Sequence, residues 1–140
     1  MNKSSFEEIL AARGELIYTN VGDSMYPLIQ PRDLLVIQRC DGRLKRLDIP
    51  LYKRDNGQYV LHRIVKKHSD GYVMCGDNRT SLEYGITDRH ILGVLTQIIR
   101  DNKRISVYSA KYRLYAHLIS DVFFFRRIIF RCKRWFRTEK

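Results

Sequence analysis

Two dipeptides, Asn56-Gly57 and Asp70-Gly71, each stand between short apolar or alternating runs, and this pattern constrains the fold more than any other in the chain. Asn-Gly and Asp-Gly supply the positive φ angles that tight hairpin turns require. The runs at 34–38, 49–54, 58–65, 72–75 and 91–99 are of strand length and are bounded by such turns, with Asp41-Gly42 as a further break. The expected fold is therefore mainly β, an antiparallel, partly closed coiled sheet. Ser4 or Ser5 ahead of Phe6-Glu7-Glu8-Ile9-Leu10 offers an N-cap with acids in the first turn, and Gly14 offers a stop. A short helix should thus precede the first strand region, with Ser24 at the start of that region and residue 62 on a neighbouring strand.

An apolar fraction of 44% over 140 residues suits one globular unit able to bury a core. Cys40, Cys75 and Cys132 are too widely spaced for a Cys-x-x-Cys or zinc pattern and read as reduced. His68, His90 and His117 are scattered without ligand spacing, so no metal is expected. The glycines punctuate turns and form no phosphate-binding loop, so no cofactor is expected either.

The chemistry-bearing stretch is Val21-Gly22-Asp23-Ser24-Met25-Tyr26-Pro27. A serine hydroxyl is a weak nucleophile at neutral pH and needs an exposed presentation and a base within hydrogen-bond reach. Gly22 permits backbone conformations that other residues avoid, and Pro27 restrains the chain three residues beyond the serine. The Ser24 N–H then becomes a candidate oxyanion donor. Taken alone, Gly-Asp-Ser is also an ordinary turn sequence. Similarly, His62 taken alone is a half-buried strand histidine beside Val60 and Ile64. As a base, its ordinary pKa of about 6.5 leaves the imidazole mostly neutral and able to accept a proton at pH 7.

The stretch 22–28 is followed by Pro31-Arg32-Asp33 leading into Leu34-Leu35-Val36-Ile37, then Tyr59-Val60-Leu61-His62-Arg63-Ile64-Val65, then Gly71-Tyr72-Val73-Met74-Cys75-Gly76-Asp77-Asn78-Arg79. In that order and spacing these four blocks resemble the signal peptidase I superfamily of serine peptidases, which includes the LexA-type self-cleaving repressors. His62-Arg63 resembles the Ser-His branch, of endoplasmic-reticulum and sporulation type, rather than the Ser-Lys branch. The resemblance covers about residues 17 to 95 and implies a Ser24 nucleophile, a His62 base and an Asp77 carboxylate that orients the imidazole. It also implies an extended peptide substrate with small residues near the cleaved bond, laid beside a sheet edge. Family members typically continue past the Gly-Asp-Asn box with a further Asp or Ser, whereas Thr80, Ser81 and Glu83 occupy that stretch here. Ser81 and Glu83 are left open as substitutes. Two other readings remain: a non-catalytic family member that binds peptides or membranes, and a basic nucleic-acid-binding protein.

Residues 1–20 are interrupted by Lys3, Glu7, Glu8, Arg13 and Glu15 and fall short of the roughly 20 apolar residues of a membrane span. A cytoplasmic or peripheral membrane location is the expectation, in contrast to the anchored family members. Residues 1–102 read as the peptidase-like domain and 103–140 as a basic, aromatic helical extension. The extension holds eleven Lys and Arg against two acids, Asp121 and Glu139, so it carries most of the chain's net charge of +11. Leu114, Leu118, Val122, Phe125, Ile129, Cys132 and Trp135 or Phe136 recur at helical spacing, with Arg126, Arg127, Arg131, Arg134 and Arg137 on other faces. This is the pattern of an amphipathic helix lying on an anionic membrane surface, or equally of one packed on the sheet with solvated arginines. Nucleic acid is the weaker partner: no helix-turn-helix is apparent, and phosphate binding has no need of Phe123-Phe124-Phe125.

Overall fold

A computed structural model describes residues 4–19 and 22–121. The elements run α1 (Phe6–Arg13), β1 (Glu15–Thr19), β2 (Leu34–Arg39), β3 (Pro50–Lys53), β4 (Tyr59–Leu61), β5 (Arg63–His68), β6 (Gly71–Cys75), β7 (Glu83–Ile86), a single 3-10 turn at Asp88–His90, β8 (Ile91–Arg100), β9 (Lys103–Ser106) and α2 (Ala110–Asp121). The protein is mainly antiparallel β, with a strongly curled half-barrel sheet and a helix near each end of the described chain.

The first helix forms as its caps dictate. Ser5 is extended, and its side chain accepts from the Glu8 N–H at 3.2 Å. Gly14 ends the helix in the left-handed region at φ 71°, and its N–H returns to the Leu10 carbonyl at 2.8 Å. The six-stranded sheet has the order β1-β2-β8-β3-β4, with β9 on β8 beside the β3 pairing. A separate three-stranded sheet has the order β5-β6-β7. The main core lies inside the curl, where Leu10 of α1 meets Leu16, Met25, Leu28, Leu35, Ile37, Leu51, Leu95 and Ile98. A second cluster, built on Tyr52, Ile64, Tyr72, Met74 and Ile91, joins the two sheets.

Several expectations are refined. The run 58–65 is not one strand: it breaks at His62, where the chain leaves the six-stranded sheet through β4 and enters the other as β5. At Asn56-Gly57 the turn is as expected, with Gly57 at φ 89° and the Asn56 side chain accepting from the Gln58 N–H. At Asp70-Gly71 the turn residues are 69 and 70, because His68 pairs with Gly71. Gly71 opens β6 and is small for another reason: a Cβ there would lie 2.7 Å from the Ile86 carbonyl oxygen of β7. Strands β1, β7 and β9 were not among the expected runs, and Ser24 lies in a turn between β1 and β2 rather than at a strand start. The helical pattern of the extension is present over α2, while Val122, Phe125, Ile129, Cys132, Trp135, Phe136 and the arginines from Arg126 onward lie outside the described residues.

Candidate active site

The Ser24 turn is anchored by its neighbours on both sides. Gly22 adopts φ 109°, a conformation that favours glycine, and the Tyr26-Pro27 peptide is cis. Met25, directly after the serine, is fully buried in the main core. On the far side, Asp33 is buried and takes two bonds from Arg100, at 2.9 and 2.6 Å, while Arg100 also donates to the Leu28 carbonyl. Burial would raise the Asp33 pKa, but the bonds from Arg100 and from the Gln30 N–H outweigh it and hold the carboxyl below its ordinary value. The Pro31-Arg32-Asp33 block is thus the latch of the turn that presents Ser24.

The Gly76-Asp77-Asn78-Arg79 box closes over the same turn. The Asn78 N–H donates to the Ser24 carbonyl at 2.8 Å, and the Asn78 side chain donates to the Asp23 carbonyl at 3.0 Å. Arg79 pairs with Asp23 at 2.7 Å, and the Asp77 N–H points to the Met25 sulfur at 3.4 Å. Gly76 lies at the centre of this contact. A Cβ on it would lie 2.7 Å from the Ser24 carbonyl oxygen and 3.2 Å from His62 Nε2. The absent side chain is what lets the Ser24 backbone and the His62 imidazole approach one point from two elements. Among the described residues the Ser24 N–H has no acceptor.

His62 is half-buried at the sheet-to-sheet break. Burial, followed by the Arg54 guanidinium, holds its pKa below the ordinary histidine value; Arg79 acts in the same direction, and the carboxylates of Glu83 and Asp77 act against it. The result is an imidazole that is neutral and proton-accepting at pH 7. Its open side faces a groove of about 490 Å³, lined by Arg54, Arg79, Ser81, Leu82, Glu83 and Tyr84. A more enclosed cavity of about 350 Å³ lies apart from the serine, beneath α2.

Asp77 is brought to the site, but its carboxylate faces inward. Arg63 Nε and Nη2 donate to its two oxygens at 2.8 Å each, and the Tyr115 hydroxyl donates at 3.0 Å. Both side chains of this pair are almost wholly buried, at 4% and 0% exposure. Burial opposes the Arg63 charge, but the adjacent Asp77 more than offsets it and raises the Arg63 pKa. Among the described residues no hydrogen bond joins Asp77 to His62. The carboxylate on the groove side is Glu83, which takes Arg54 at 2.7 and 2.9 Å and the Tyr52 hydroxyl at 2.6 Å. The Tyr52 and His62 rings form an edge-type pair, with centroids 6.5 Å apart and planes at 68°. Tyr52 and Arg54 had no signal in the sequence beyond membership of an apolar run, and Tyr115 stands far from every motif. The described residues hold no group of His, Cys, Asp and Glu suited to a metal ion.

Comparison of the chain with protein-family models, with curated proteins and with solved structures finds no significant match to any of them.

Proposed function

We propose that the protein is a serine endopeptidase resembling signal peptidase I of the Ser-His branch, acting on an extended leader-like peptide. The observation that carries this reading is that the Ser24 carbonyl oxygen and His62 Nε2 both lie against Gly76, which brings the two segments together although, among the described residues, no hydrogen bond joins the Ser24 hydroxyl to the imidazole. His62 accepts the Ser24 hydroxyl proton as Oγ bonds to the peptide carbonyl carbon, and the Ser24 N–H stabilises the oxyanion. Collapse of the adduct breaks the C–N bond, and His62 returns the proton to the leaving amine. Water, deprotonated by the same imidazole, then releases the acyl group and restores Ser24. The groove beside His62 includes Glu83 and Tyr84 at the start of β7, an edge strand among the described residues, which suits an extended substrate.

The test is cleavage of leader-like peptides with small residues near the scissile bond, followed by mass spectrometry. Ser24→Ala and His62→Ala should each abolish turnover while leaving thermal unfolding nearly unchanged. Equal cleavage by wild type and Ser24→Ala over a broad peptide set would leave a binding module as the better reading.

A membrane-surface role accompanies this activity on one observation. Leu114 and Leu118, one turn apart on α2, are 62% and 45% exposed, while Ala116 and Ile119 of the same helix are buried and Tyr112 and Tyr115 pack on the core, so α2 carries an outward apolar pair beside its docked face. Among the described residues no helix is long and apolar enough to cross a membrane, and the role is that of a peripheral protein on an anionic surface. In flotation assays the protein should move with anionic and not neutral liposomes, and Leu114→Gln/Leu118→Gln should weaken that binding several-fold. Binding unchanged in the double variant would remove the leucine stripe from the account.

A further inference from the structure

His62 is surrounded by charged and titratable groups from every element packed against it. Arg54 follows β3, Tyr52 lies within it, Asp77 and Arg79 follow β6, and Glu83 begins β7. Both carboxylates have both oxygens engaged, Asp77 by Arg63 and Tyr115 on the interior side and Glu83 by Arg54 and Tyr52, and they differ in that only Glu83 lines the groove. Glu83 lines the same groove as His62, and its Oε1 holds the hydroxyl of Tyr52, whose ring stands in an edge-type arrangement with the imidazole at 6.5 Å between centroids. The fully buried Tyr52 is thereby fastened at both ends, by core packing around its ring and by Glu83 at its hydroxyl. Arg54 fixes the Glu83 carboxylate with two bonds, so the positions of all three are set before any substrate arrives.

We propose that Glu83, and not Asp77, is the carboxylate that positions His62 and supports its protonated form, acting through Tyr52 and across the groove, with Arg54 as its opposing charge. This rests on His62 being the base of the proposed peptidase. Glu83 is a positioning residue: as the imidazole gains the Ser24 proton, the nearby carboxylate offsets the new charge while Tyr52 limits rotation of the ring. Arg54 keeps the resting imidazole neutral. Glu83 and Arg54 act on the imidazole in opposite directions, so the balance of the pair sets how readily His62 takes up a proton.

The test is NMR titration of the His62 ring in the whole chain, its resonance assigned by loss in His62→Asn. Glu83→Gln leaves Arg54 unopposed and should lower the His62 midpoint by about half a pH unit or more; Arg54→Gln should raise it by a similar amount. A midpoint unmoved by Glu83→Gln, or moved upward, overturns the proposal. If Glu83→Gln does not fold, Arg54→Gln alone decides, since an unmoved midpoint there means that the groove charges do not reach the imidazole. In peptide cleavage, Glu83→Gln should lower kcat about tenfold with KM little changed, and the acid limb of the kcat/KM profile should move to lower pH. Glu83→Asp should recover part of kcat. A rise in KM with kcat intact would make Glu83 a substrate contact instead. The titration reads His62 whether or not the chain cleaves peptides, so failure here is separable from failure of the peptidase reading.

Discussion

Two carboxylate–arginine pairs flank His62, and they differ in almost every physical respect. Asp77–Arg63 is sealed inside the protein, at 0% and 4% side-chain exposure, and a third donor, Tyr115, reaches it from α2. Glu83–Arg54 stands at the groove wall, at 25% and 29% exposure. A buried pair loses its hydration and survives only because each charge satisfies the other, so removing one partner is costly. A partly exposed pair is screened by water and contributes little to stability, yet it still acts on a neighbouring group of lower exposure. The inner pair ties β5, the Gly-Asp-Asn box and α2 together. The outer pair lines the groove that His62 faces. Similar chemistry on two sides of one histidine thus sits in two settings, one sealed and one at the groove, and on the proposed reading the sealed pair serves the architecture and the groove pair the imidazole.

The largest effect that tests this division is expected from Asp77→Asn, which strands the Arg63 charge in the interior and should cost about 3–5 kcal/mol in chemical denaturation. A loss below about 1 kcal/mol would mean that the inner pair is not the clamp its burial implies. Gly76→Ala comes next. Its Cβ would meet the Ser24 carbonyl oxygen at 2.7 Å, so the turn and His62 must move apart, with about 1–3 kcal/mol of overpacking cost. Cleavage should fall at least tenfold, beyond what the stability loss explains; full activity would show that the convergence on Gly76 is incidental. The smallest stability change belongs to Glu83→Gln, about 1 kcal/mol by the same denaturation measurement, because water can replace part of what is lost. A cost as large as that of Asp77→Asn would erase the distinction between the two pairs.

Much of the site was legible in the residues. Gly22 and Pro27 indicated a constrained turn around Ser24, and the structure holds Gly22 at φ 109° there. Ser4 or Ser5 and Gly14 marked the ends of α1, and Ser5 is the cap, because capping is a local property satisfied within four residues. The apolar runs marked the long strands, since periodicity reports on burial directly. Strand β7 was hidden because Gly85, at φ 84°, interrupts it, and its residues 84 and 85 are exposed. Its neighbour across the gap, Gly71, was read as a turn glycine, whereas the close approach of Ile86 is what requires it.

The partner of Asp77 illustrates the limit most clearly. His62 and Arg63 are adjacent in sequence, and successive residues of an extended chain point to opposite sides. Either one could have met the aspartate, and nothing local says which. The chain switches sheets at His62, so Arg63 turns inward to Asp77 while the imidazole turns out to the groove. What the sequence by itself determined was the inventory: a serine in a glycine- and proline-bounded turn, a histidine of ordinary pKa beside a strand, a set of strands and their caps, each a matter of short-range conformational preference and burial pattern. Only the tertiary structure decided which charge faces which. Electrostatic partnership depends on distances between segments far apart in the chain, such as Tyr52 and Glu83 or Asp77 and Tyr115, and on the water excluded between them.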